Sequence, residues 1–300
     1  MKINCIVLFL SITILAGALP ALNLPRAPNC PLFPDTNVWN KEIANLPVHR
    51  NSAALIRSIG LNDELHPDFG SNLTYGIPYN VVGSGVAKVK VNFYYDDESD
   101  RGPYPIPKKP RREKGSDHHI LIVDRDACKL YEIYDAGRSN GSWSAGSGAI
   151  WDLTSNRLRP NNWTSTDAAG LPVLPGLVRY YEVLRGLIDH ALRFTAPRTR
   201  NAHIYPARHH AGISNNSSLP PMGLRVRLKA SLDISKFSPR NRVILTALKR
   251  YGMILADNGS PWFVSGVSDK RWNEDDLNEL KRIKGSAFEV VDTSMLRNGP

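Results

Sequence analysis

Three hundred residues with 42% apolar and 22% charged side chains can bury a sizeable core, and they exclude a chain that is disordered as a whole. The 22 Gly and 22 Pro favour many turns and short strands and argue against a helical bundle. The formal charge of +10, or +9 once Lys2 is removed, suits an acidic extracellular partner or serves solubility alone.

Residues 1–21 read as a secretory signal peptide. Lys2 gives a positive start, an almost wholly apolar run follows from Cys5 to Leu15, and Ala16, Gly17 and Ala18 supply small residues for cleavage. The alternative is an uncleaved anchor, but the run is shorter than the roughly 20 residues a bilayer crossing needs, and Pro20 follows it. Residues 22–300 are then a single secreted, extracellular domain with no membrane anchor left after cleavage. Cleavage removes Cys5 and leaves Cys30 and Cys128. In an oxidising compartment these are expected to form one disulfide; two separate buried thiols are the other reading. Asn-x-Ser/Thr sequons begin at Asn72, Asn140, Asn162, Asn215, Asn216 and Asn258, and they fit a glycoprotein if the host glycosylates.

The Pro-rich arm over residues 22–40 cannot be regular helix, and Leu32, Phe33 and Trp39 are expected to pin it to the domain. Residues 51–61 read as a helix stopped at Gly60. Residues 80–82 form a short strand, and the alternation over residues 86–94 predicts another. Residues 96–115 are a polar loop whose basic half (PKKPRREKG) reads as a polyanion patch, a processing site or a solvated tip.

At the centre stands DHHILIVDRDACKLYEIYD, residues 117–135, which reads as a β-hairpin. A four-residue loop over residues 125–128 would place His119 opposite Tyr134 and His118 opposite Asp135, with Glu132 diagonal to His119. One face would then lie in the core and the other would line a cleft. The glycines of residues 141–153 predict a bent strand. A short helix is expected within residues 177–187, and strands over residues 189–195 and 202–205. Residues 224–230 (LRVRLKA) predict a strand with a basic outer face. Ser238-Pro239 caps the clearest helix. Strands follow at residues 254–258 and 261–267, Asn273 caps a last helix, and residues 288–291 form a final strand. No βαβ rhythm appears. The expected fold is mainly β: an antiparallel β-sandwich or jelly-roll-like core with a few peripheral helices. A strand-rich α+β fold is the alternative.

Three residues are the leading catalytic candidates. Glu132, between Tyr131 and Ile133, should be desolvated and its pKa raised, which suits a general acid. His119 could act as a base, and His190 sits in the apolar stretch IDHALRF. Asp152, Asp167 and Asp257 are secondary candidates. The first two lie in Trp-containing loops, a pairing that suits sugar stacking. Asp257-Asn258-Gly259 reads first as a hairpin turn. For each residue a structural role, as a core histidine, a sheet-stabilising pair or a cap, is the competing reading. No zinc spacing, GxSxG, Walker loop or GxGxxG occurs, so no metal or cofactor is expected.

The stretches HHILIVDRDACKLYEIYDA, WTSTDAAGLPVLPGLVRYYEV, IDHALRF, IYPARHHAG and ALKRYGMILADNGS resemble a family of secreted proteins from bacteria and some eukaryotes. The resemblance spans residues 34–294 and implies a single domain. It implies no activity, so the chemistry rests on the residues themselves. The expected function is that of a secreted carbohydrate-active protein. It would be a hydrolase or lyase using carboxylate and histidine acid–base groups on an extracellular polysaccharide, with an anionic one suiting the charge and nucleic acid excluded. The alternative is a non-catalytic glycan-binding or cell-surface protein. Convergence of His119, Glu132 and His190 in one open cleft would favour the enzyme, and finding them dispersed and buried would count against it.

Overall fold

In the computed structural model the described residues are 23–298; the leader expected over residues 1–21 lies outside them. Thirteen strands follow in chain order. They are β1 (His66–Asp68), β2 (Tyr79–Val82), β3 (Val91–Phe93), β4 (Ile120–Asp124), β5 (Lys129–Tyr134), β6 (Gly137–Ser139), β7 (Ser142–Ala145) and β8 (Ser147–Asp152). After them come β9 (Leu192–Ala196), β10 (Arg225–Leu228), β11 (Met253–Asn258), β12 (Phe263–Ser265) and β13 (Phe288–Val290). Four α-helices accompany them: α1 (Ser52–Gly60), α2 (Tyr180–Arg185), α3 (Pro239–Arg250) and α4 (Glu274–Asn278). Strand (24%) exceeds helix (19%), so the chain is sheet-rich.

The strands form three sheets, ordered β1-β12-β9-β11-β10-β13, β2-β4-β5-β8 and β3-β7-β6. Each mixes directions. β1 with β12, β9 with β11, β2 with β4 and β3 with β7 are parallel neighbours. Alternation along each strand pointed to antiparallel pairing throughout; it reports which face is buried but not the direction of the neighbour, which long connections decide here.

The hairpin β4–β5 has the expected register. Ile120 faces Ile133 and Asp124 faces Lys129, which leaves residues 125–128 as the loop. The Asp124 carboxylate accepts from the backbone N–H of Asp126 and Ala127, an Asx turn that sets the bend. His118 Nδ1 lies 3.3 Å from Asp135, and the His119 ring tilts against Tyr134 at 5.7 Å. The face assignment differs from expectation. Leu121, Val123 and Leu130 pack in the main core, while Ile120, Ile122, Tyr131 and Ile133 pack in a second apolar cluster with Tyr104. Both faces are buried, as the continuous run ILIV would suit, and any cleft must lie at the hairpin's open end or beyond it.

The N-terminal arm is pinned as expected: Leu32, Phe33 and Trp39 are buried, and Cys30 is disulfide-bonded to Cys128 in the hairpin loop. Ser238 accepts from the N–H of Asn241, and Asn273 from that of Asp276, so both expected caps form. Three elements differ. Only Val91–Phe93 of residues 86–94 is a strand, and residues 202–205 contribute a lone bridge, His203 to Met222. β10 shows no basic outer face. Arg225 is 1% exposed and donates to the carbonyls of Val38, Lys41 and Tyr251, because the arm folds across the strand and needs donors for its carbonyls. Among the described residues no helix is long and apolar enough to cross a membrane.

Candidate functional site

The connection after β8 carries Asp167 and is fastened from below by two strands and by the residue just before a third. Glu132 of β5 is fully buried. Its carboxylate accepts from the N–H groups of Val173 and Leu174 at 2.9–3.0 Å, from the Trp151 indole at 3.1 Å and from the Thr166 hydroxyl at 3.3 Å. The Ser147 hydroxyl of β8 donates to the Ser165 carbonyl, and the Ser165 hydroxyl donates to the Leu171 carbonyl, both at 2.5 Å. From just before β4, His119 Nε2 reaches the Thr166 carbonyl at 2.8 Å. Gly170 closes the turn at φ +66°, where an added Cβ would stand 2.5 Å from the Trp163 carbonyl, so only glycine fits.

His119 is nine-tenths and more buried, and its other nitrogen, Nδ1, stands 2.5 Å from the Glu113 carboxylate. Carbonyl and carboxylate both accept, so both ring nitrogens must donate and the ring is an imidazolium. Burial opposes that charge, but the bond and charge of Glu113 outweigh it and hold the His119 pKa above its ordinary value. Burial likewise opposes the Glu113 charge, and His119 overcomes it, so that carboxyl is held low.

The opposite wall comes from the six-stranded sheet. β9 and β11 run parallel, and a bulge between Leu255 and Asp257 shifts the register just before Asp257, as bulges beside sites do. Ala169 N–H donates to the Ala256 carbonyl at 3.0 Å, and Ala168 N–H approaches the Asp257 carboxylate at 3.4 Å. The two walls therefore meet at the C-terminal end of two parallel strands, the usual place for a site on such sheets. Between them opens a cleft of about 380 Å³, lined by Tyr95, Glu98, Asp117, Tyr134, His209 and Asp257 among others. Among the described residues no lysine or arginine lines it.

Two carboxyls dominate its electrostatics. Asp167 forms part of the wall, but its side chain is wholly buried behind it. Burial pushes that carboxyl up to about 7; the Arg193 guanidinium offsets part of the rise and the charge of Asp257 adds to it. Asp257 is half-buried and faces the cleft. Its carboxyl is raised by burial too, with Arg193 the main opposing charge. Burial, followed by the charges of Asp117, Asp135 and Asp257, raises the Tyr134 phenol, so Asp117 and Asp257 both act on that ring. His209 Nδ1–H donates to the Ala168 carbonyl at 2.9 Å.

His119, Glu132 and His190 do not meet in this cleft. His119 and Glu132 share Thr166 beneath it. Burial raises the Glu132 pKa as the sequence suggested, against the N–H groups of Leu174 and Val173 and the Trp151 indole, but its oxygens are taken up by those donors. His190 lies elsewhere, buried beside Arg179 and Glu182, with Nδ1–H donating to the Ala191 carbonyl and Nε2 2.6 Å from Arg179. Arg179 and Glu182 are also ion-paired to each other, so this is a structural cluster. Asp152 is exposed and caps a turn through the N–H and hydroxyl of Thr154. Asp167 and Asp257 are the sequence candidates that come together. Asp257-Asn258-Gly259 is not a hairpin turn: β11 and β12 flank β9 on opposite sides. Among the described residues no three His, Cys, Asp or Glu side chains are placed to hold a metal ion.

Sequence reasoning missed Arg193, Glu113 and the cleft role of Asp117. Arg193 had a signal: a charge in the middle of the apolar strand ALRF, where attention fell on the neighbouring histidine. Glu113 lay hidden in the basic run PRREKG. No protein-family model, curated protein or solved structure matches the chain.

Proposed function

We propose that the protein is a secreted polysaccharide hydrolase in which Asp257 is the acid–base carboxyl of the cleft. The observation that carries this reading is the coupled pair Asp257 and Asp167 at Arg193. A carboxyl at a cleft surface, raised by burial, keeps its proton to higher pH and can protonate a glycosidic oxygen. Asp117, exposed on the same cleft, is the second carboxylate, which activates water or stabilises the oxocarbenium-like transition state. Asp167 does not touch substrate in this scheme. It tunes Asp257 through the shared guanidinium. His119, Glu113 and Glu132 hold the loop in place, and their role is positioning.

A lyase acting on a uronate needs a cation at the scissile unit to neutralise its carboxylate. Among the described residues the lining sets Glu98, Asp117 and Asp257 against one basic side chain, His209, and has no lysine or arginine, which favours hydrolysis of a unit that is neutral at the point of cleavage. The second reading, a non-catalytic glycan binder, is supported by one feature. Tyr94 is 83% exposed and packs edge-on against Tyr95 of the cleft at 4.8 Å, a platform on which a sugar face can stack. Incubating the protein with neutral and acidic polysaccharides separates the readings. New reducing ends without ultraviolet absorbance support the hydrolase, an absorbing unsaturated product supports a lyase, and binding without any product supports the binder.

A further inference from the structure

We propose that a second groove, on the other side of the segment carrying Asp117, binds an acidic oligosaccharide. Its volume is about 740 Å³, and Arg111, Lys114, His118, Asp269 and Lys270 are among the residues that line it. Asp117 lines the cleft and His118 the groove, and the backbone turns between the two sites with His118 at φ 48°.

The charge balance of this groove is one-sided. It contains two carboxylates, Glu113 and Asp269, and both already have partners. Glu113 is bound to His119 at 2.5 Å and Asp269 to Arg271 at 2.6 Å. Arg111, Lys114 and Lys270 are exposed and take part in no salt bridge among the described residues. Three cations are thus open to an outside anion while the local acids are spent.

The backbone that carries Arg111 and Lys114 is also held in place. Asn80, buried in β2, accepts from the Arg111 N–H at 2.8 Å and donates to the Arg111 carbonyl at 2.9 Å. Glu113 N–H donates to the His119 carbonyl at 2.9 Å. The basic run PRREKG is therefore strapped along the hairpin sheet, so its charges are presented without the full ordering cost of a free loop. Leu73 and Pro110 add apolar surface to the groove. Cations at intervals beside apolar ground fit a chain of rings bearing carboxylate or sulfate groups. The acid-lined cleft and the cationic groove would then take different units of one chain.

Calorimetric titration of the full chain tests this. The chain carries Asp257→Asn, which under the proposed function slows turnover, and the product is assayed alongside, so binding is read whether or not the cleft is catalytic. The probes are an oligogalacturonate, a heparin-derived oligosaccharide and a neutral glucan of similar length. Saturable binding of one or both acidic probes, absent for the glucan and weakened by salt, is expected. A preference between the two identifies carboxylate or sulfate as the anion. The triple variant Arg111→Ala/Lys114→Ala/Lys270→Ala should bind about tenfold more weakly or worse, and Arg57→Ala/Arg198→Ala/Lys236→Ala, which removes the same charge elsewhere, should bind as before. Equal losses in both triple variants, unchanged binding in the first, or equal binding of the glucan would overturn the proposal. Near-ultraviolet circular dichroism confirms that each variant is folded.

Discussion

Arg193 stands 3.6 Å from Asp167 without hydrogen-bonding it. Asp167 Oδ2 and Arg193 Nε are both buried without a hydrogen-bond partner among the described residues, while Arg193 Nη1 is bound to Ser265 at 3.0 Å. The pair is therefore loose. It gives the Asp167 carboxylate too little to repay its desolvation, and the proton stays on to about pH 7.

The first prediction is a pH dependence of stability. The folded Asp167 carboxyl binds its proton up to about 7, against roughly 3.9 when unfolded. The folded state therefore holds more protons between these values, and this group's contribution is fully present below the lower one and lost as pH rises through the upper one. Asp167→Asn removes that dependence. Its unfolding free energy, from denaturant titration, should fall less than that of the wild type between about pH 4 and 7, a difference of up to about 4 kcal/mol. Parallel curves for the two proteins would show that Asp167 ionises normally.

Glu132 should act as a clamp. In Glu132→Gln an amide N–H₂ meets the N–H groups of Val173, Leu174 and Trp151, which can only donate. The variant should lose about 2–3 kcal/mol in urea unfolding, and backbone amides of residues 164–174 should exchange hydrogen faster. Unchanged exchange across that loop would mean that Glu132 does not hold it.

His119 and Glu113 should behave as one unit. Removing either leaves a buried charge unpaired, so His119→Gln and Glu113→Gln should each cost about 3 kcal/mol or more. The double variant should cost clearly less than the sum of the two. Additive costs, measured by denaturant titration, would separate the two residues.

The Cys30–Cys128 bridge closes a loop with a sequence separation of 98 residues. Serine at both positions should lower stability by about 4–5 kcal/mol in the chain-entropy model. A change below about 1 kcal/mol would mean that the arm is held by the packing of Phe33 and Trp39 alone.

Sequence pattern carried the local structure far. The hairpin register, the four-residue loop over residues 125–128, the caps at Ser238 and Asn273 and the disulfide partners were all legible, because each depends on residues close in sequence or on a forced pairing. Parallel sheet neighbours were not, since strand alternation is blind to direction. The site was half legible. Asp167 and Asp257 stood among the candidates, but residues 90 apart in sequence are joined only by the bulge in β11 and the loop clamped by Glu132. Glu132 and His119 drew attention because buried charge in a strand is unusual. That reading found a real feature, a polar network under the cleft, and assigned it chemistry that its saturated hydrogen bonds do not leave free.

The most direct measurement compares Asp257→Asn with the wild type on whichever polysaccharide the wild type cleaves, with turnover and binding followed together. The account predicts that release of reducing ends falls by about 10² or more while affinity for the glycan is retained, and that wild-type activity declines as rising pH removes the Asp257 proton. Equal turnover by the two proteins would contradict it, and so would binding without turnover by the wild type across neutral and acidic polysaccharides.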